Sequence, residues 1–109
     1  MNEITNRAWG KFEVLLRKDY TKVKKISVKP GQKLSYQSHS KRDETWVVVD
    51  GTLNIIVDEV EYERGYGQSI QIPKGSKHRA INKTNKTAIF IEVQTGDYFG
   101  EDDIVRYDI

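Results

Sequence analysis

Short runs of alternating or β-branched residues recur along this chain. They are separated by Gly, Pro and Asn at intervals of about ten residues, a punctuation that favours strands over helices. The runs fall at 8–17, 20–28, 33–39, 44–50, 52–57, 69–72, 78–82 and 87–94, and 58–62 carries on from its predecessor with charges on one side. Asp50-Gly51 reads as a two-residue hairpin, and Lys29-Pro30-Gly31 and Pro73-Lys74-Gly75 read as turns. No run has helical periodicity, although residues 100–106 suit one helical turn. The pattern predicts an all-β fold, a barrel or sandwich of antiparallel strands. With 109 residues, the chain is expected to form one domain, 1–109, around one core.

Charge and cysteine content narrow the function. Lys and Arg number 18 against 16 Asp and Glu, giving a net charge of +2. The two signs are interspersed, so no nucleic-acid partner is expected. There is no cysteine, which removes disulfides and thiolate ligands alike. No stretch approaches the roughly 18 apolar residues of a membrane span and no secretory pattern opens the chain, so the reading is cytosolic with no membrane partner.

The chemistry concentrates in two blocks. From Gly31 to Gly51, the period of two along a strand puts Gln37 and His39 on one face. After a polar turn it puts Glu44, Trp46 and Val48 on one face of the next run. If those faces coincide, three metal-capable side chains converge. From Gly67 to Asn82, a Pro-x-Gly turn delivers His78. The chain has two histidines, and both lie in these blocks. Gln37, His39, Glu44 and His78 form a hard-to-intermediate donor set for one divalent ion. Zinc is the first choice, Mn, Fe, Co or Ni are alternatives, and Cu(I) is disfavoured.

These two blocks resemble the two motifs of the cupins. The second matches throughout; the first matches in spacing, with Gln37 where cupins generally carry their first histidine. Further words, Trp9-Gly10, Lys22 to Gly31, Leu34 to Gln37, Glu44 to Gly51, Ile72 to His78 and Glu92 to Arg106, are similar to the cupin domain of type II phosphomannose isomerases. That module often follows a mannose-1-phosphate guanylyltransferase domain, and its members also tend to carry glutamine at the position of Gln37. Their run of histidines is absent here, where Ser40, Lys41 and Arg42 follow His39.

The resemblance implies a jelly-roll barrel and a metal-dependent, stand-alone mannose-6-phosphate isomerase acting through an enediolate. Such chemistry needs a base, a charge near the developing oxyanion, and a phosphate anchor. Lys24, which shares a strand face with Ile26 and Val28, and Glu92, which shares one with Ala88 and Phe90, are the candidate bases. Arg42, Arg79 and Arg106 are the candidate anchors for a phosphorylated hexose. The competing readings are a non-catalytic metal- or sugar-binding module and another metal-dependent cupin enzyme such as a dioxygenase. A homodimer is expected, covering the apolar N-terminal strand around Trp9 to Leu16 and burying Trp9 or Phe12.

Overall fold

The computed structural model describes residues 3–107. The strands are β1 (Ile4–Arg7), β2 (Gly10–Arg17), β3 (Thr21–Val28), β4 (Tyr36–His39), β5 (Arg42–Asp50), β6 (Thr52–Val57), β7 (Val60–Gly65), β8 (Ser69–Ile72), β9 (His78–Ile81), β10 (Ala88–Gly96) and β11 (Ile104–Tyr107). They form two antiparallel sheets, ordered β1-β2-β3-β10-β5-β8 and β11-β4-β9-β6-β7. The expected all-β jelly roll is what is observed: from β3 to β6 and again from β7 to β11 successive strands alternate between sheets, and the inner faces enclose the core.

Alternation decides what lies inside. Along β5, Arg42, Glu44, Trp46 and Val48 are buried while Asp43, Thr45 and Val47 are not. Along β10, Ala88, Phe90, Glu92 and Gln94 point inward. Trp46 and Phe90 stack at 4.5 Å between ring centroids, tilted by 33°, and with Val28, Val48, Leu53 and Ile55 they fill one half of the barrel. Each such side chain contributes about 1.5–3 kcal/mol by leaving water. The other half holds polar groups.

Three local features depart from the sequence reading. Residues 4–7, which lie ahead of the first expected run, form β1, paired with β2 so that Arg7 stands opposite Gly10. A side chain at Gly10, where φ is +151°, would collide with the Ser27 carbonyl of β3. Residues 58–59 turn rather than continue a strand, with φ of 49° at Asp58 and 72° at Glu59, as a type I′ hairpin requires. This left-handed pair costs about 1–2 kcal/mol per residue, offset by tethers on both side chains. Asp58 Oδ1 accepts from Lys77 N at 2.9 Å, and Glu59 Oε1 accepts from the Tyr36 hydroxyl at 2.8 Å.

The third departure is at the C-terminal end. Only Glu101–Asp103 form a helical turn, of the 3-10 kind, and Ile104–Tyr107 run as a strand beside β4. The β-branched Ile104-Val105 pair was the signal for it. Asp103 caps the β4–β5 turn, accepting from Ser40 Oγ at 2.7 Å and from Lys41 N at 3.0 Å. Both segments brace the strand that carries Gln37 and His39.

Candidate metal centre

The site lies where the two sheets face each other at the polar end of the barrel. The second sheet supplies Gln37 and His39 from β4 and His78 from β9, with Gln37 and His78 in register. The first sheet supplies Glu44 from β5, and beside it Glu92, whose register partners are Lys24 on β3 and Trp46 on β5. His78 follows Pro73 and Gly75 because the turn reverses the chain there, with Gly75 at φ +80°. The asparagine ending that block is structural. Asn82 donates to the carbonyls of Val28 and Lys86 and accepts from Thr84, shaping the 82–86 loop.

His39, Glu44 and His78 are all buried, and one donor atom from each lies within 4.8 Å of the others. His39 Nδ1 is 3.4 Å from Glu44 Oε2, and His78 Nε2 is 3.8 Å from Glu44 Oε1. Donors bound tetrahedrally to zinc at about 2.0–2.2 Å are separated by roughly 3.3–3.6 Å, so the cluster has the dimensions of a metal site. His78 is also oriented for it: Nδ1–H donates to the Ser76 carbonyl at 2.9 Å, which leaves the Nε2 lone pair facing the cluster. His39 Nδ1 is buried without a hydrogen-bond partner. The residues present therefore fit a divalent ion.

Glu44 is held from several sides. Trp46 Nε1 donates to Oε1 at 2.9 Å, and Arg42 Nε donates to Oε2 at 3.0 Å. Arg42 Nη2 also lies 2.7 Å from His39 Nε2. Burial first, then the Arg42 charge and His78, depress His39 to about 3, and burial lowers His78 too. Both rings are thus neutral at pH 7, the form that ligates. Burial and the neighbouring Glu44 charge push Glu92 up to about 8. It keeps its proton at pH 7, and Gln94 Nε2 donates to Glu92 Oε1 at 2.5 Å.

The cluster opens into a cavity of about 290 Å³. Gln37, His39, His78, Lys24, Glu92, Arg42 and Arg106 all line it, so the structure brings most of the sequence-selected residues together. Lys24 is buried, with Nζ 4.4 Å from the centre of the Phe12 ring. Arg79 does not line the cavity; its Nε donates to the Leu34 carbonyl at 2.8 Å, with the guanidinium over Tyr36. Trp9 and Phe12, expected at a dimer interface, pack on the core and line the cavity. Arg7 is a cavity residue that sequence reasoning missed. Its signal was its place just ahead of the Trp9-Gly10 word.

A two-sheet β-barrel with two histidines and a carboxylate converging at one end is a cupin. The chain belongs to the family described as mannose-6-phosphate isomerase C-terminal, whose model matches residues 1–109. It is 43% identical over 101 residues to the mannose-1-phosphate guanylyltransferase of Escherichia coli, covering 93% of this chain and 21% of that protein. Against the alginate biosynthesis protein AlgA of Pseudomonas syringae it is 43% identical over 102 residues, covering 94% of this chain and 21% of that protein. The crystal structure of a sugar phosphate isomerase of the cupin superfamily from Silicibacter pomeroyi matches with a TM-score of 0.72 and 25% identity, over 90% of this chain and 70% of that one.

These findings correct the expected function. The chain spans about a fifth of the length of the curated relatives it matches, and they are named for guanylyl transfer and alginate biosynthesis. The expectation of a stand-alone mannose-6-phosphate isomerase is overturned: the match is to one module of larger proteins. The resemblance words that led to it belong to that module, and a module's residues do not carry the whole protein's activity. Among the described residues, no helix is long and apolar enough to cross a membrane.

Proposed function

We propose that this chain is a metal-holding cupin module that binds a phosphorylated hexose, in the service of mannose-1-phosphate guanylyl transfer. The observation that carries the reading is one juxtaposition. His39 and His78 of the buried His39-Glu44-His78 cluster line a cavity whose walls include Arg7, Lys24, Arg42 and Arg106.

His39, Glu44 and His78 would hold a divalent ion, zinc by the chemistry of the set, with Gln37 as fourth donor. When bound, the ion supplies a positive charge against sugar oxygens. The protein does the rest. Trp46 and Arg42 fix the Glu44 carboxylate, and the Ser76 carbonyl fixes the His78 ring. Glu92 stays protonated at pH 7 and so can donate a hydrogen bond to a sugar oxygen, and Lys24 beside it donates another. The half-buried Trp9 offers an apolar face to the ring, while Arg106, on β11 beside Gln37, meets the phosphate.

Titration calorimetry on zinc-loaded protein tests this. Mannose 1-phosphate or mannose 6-phosphate should bind at least about tenfold more tightly than mannose, a difference near 1.4 kcal/mol. Binding of neither phosphate ester would sink the proposal. An affinity equal to that of mannose would keep the sugar and remove the phosphate.

A further inference from the structure

The candidate metal centre already contains a cation of the chain's own. Arg42 is 4% exposed and bridges His39 Nε2 at 2.7 Å and Glu44 Oε2 at 3.0 Å. A guanidinium only donates, so Nε2 of the neutral His39 ring is the acceptor. The ring's single proton then sits on Nδ1, 3.4 Å from Glu44 Oε2. Arg42 thereby balances Glu44 from beside the position a divalent ion would take.

A neutral imidazole has one lone pair to give. An ion that takes Nε2 needs the lone pair to which Arg42 donates. An ion that takes Nδ1 moves the ring proton to Nε2, which then points a donor at the guanidinium donor. On either nitrogen, the Arg42–His39 contact does not survive ligation, and like-charge repulsion acts in the same direction. Arg42 lines the same cavity as Arg7 and Arg106. Those two arrive from β1 and β11, edge strands of the two different sheets.

We propose that Arg42 is a resident cation that the metal ion displaces from His39, and that the displaced guanidinium completes a phosphate site with Arg7 and Arg106. Metal and phosphate binding are then coupled: arrival of the ion turns an internal counter-charge into a fork of donors directed at the ligand. The inference rests on the metal-holding reading above and deepens it by assigning the phosphate site and the way that site is made.

A crystal structure of the zinc-loaded wild type tests the displacement without any variant. Arg42 Nη2 should lie beyond hydrogen-bond reach of both His39 nitrogens; a retained contact with zinc bound to His39 overturns the proposal. Coupling is read by titrating inorganic phosphate into metal-free and cobalt-loaded protein. Loading should tighten phosphate binding by about tenfold in the wild type and by less than about threefold in Arg42→Gln. An equal gain in both proteins would put the phosphate on the metal alone and overturn the coupling.

Arg7→Gln combined with Arg106→Gln alters only exposed edge-strand side chains. It should cost about tenfold in phosphate affinity of the loaded protein while the visible cobalt spectrum stays unchanged. Unchanged phosphate affinity would remove the assigned site. A wild type that takes up no cobalt would remove the metal reading and this inference together, whereas cobalt uptake with no phosphate coupling removes this inference alone.

Discussion

Gln37 and His78, which belong to different sequence blocks, are register partners across the β4–β9 ladder. That pairing joins the blocks, since it puts β4 with His39 beside β9 and turns both strands toward Glu44. A site built this way depends on each donor. His78→Ala should therefore abolish stoichiometric zinc uptake, read by elemental analysis after reconstitution, while Gln37→Ala should weaken it and leave it measurable. Equal zinc content in wild type and His78→Ala would show that the ion, if bound, sits elsewhere.

Glu92 makes the metal-free protein pH-sensitive. Its carboxyl is raised from 4.5 to about 8, so between those values the folded protein keeps a proton that the unfolded chain has lost. The contribution to stability is full below about pH 4.5 and is lost as pH rises through 8, on the order of a few kcal/mol. His39 has the opposite sign. Lowered from 6.5 to about 3, it contributes stability that is full above 6.5 and lost as pH falls toward 3. Urea denaturation across pH should show Glu92→Gln flattening the decline between pH 5 and 8 and sparing the acid limb. A slope unchanged by the substitution would mean that Glu92 is ionised in the fold.

Asp103 ties the 3-10 turn to the start of β5 through Ser40 and Lys41. Asp103→Ala removes hydrogen bonds made at an exposed turn, so the stability loss should be about 1 kcal/mol. Because the same turn connects His39 to Glu44, zinc affinity should fall as well. Competition with a chromophoric chelator reads that change; affinity equal to wild type would make the tie purely structural.

Phe90 is fully buried against Trp46. Phe90→Ala should cost about 3–5 kcal/mol, seen as a lower denaturation midpoint with an unchanged slope. Trp46 also donates to Glu44, so the cavity left by Phe90 should loosen the site, and zinc affinity should drop with stability. A stable variant with undiminished affinity would separate the core from the metal centre.

The class of fold and the inward faces are legible in the order of residues alone. Alternation along β3, β5 and β10 set which residues face the core, because a strand's side chains have a period of two whatever the strand pairs with. That is why Lys24, Glu44, Glu92 and Gln94 were identifiable as inward-facing polar groups. The spacing within each block likewise brought out Gln37, His39, Glu44 and His78. How those groups are shared emerges from the packing of the two sheets. Arg42 reads as a candidate phosphate anchor in the sequence, yet it is buried against His39 and Glu44, because the turn after His39 carries the chain into the facing sheet, where β5 begins beside the cluster. Arg79 occupies the second block beside His78, but adjacent strand residues face opposite ways, so its guanidinium is turned from the cavity to the Leu34 carbonyl. β11 depends on pairing between the C-terminal end of the chain and the distant β4, and local periodicity does not encode such a partner.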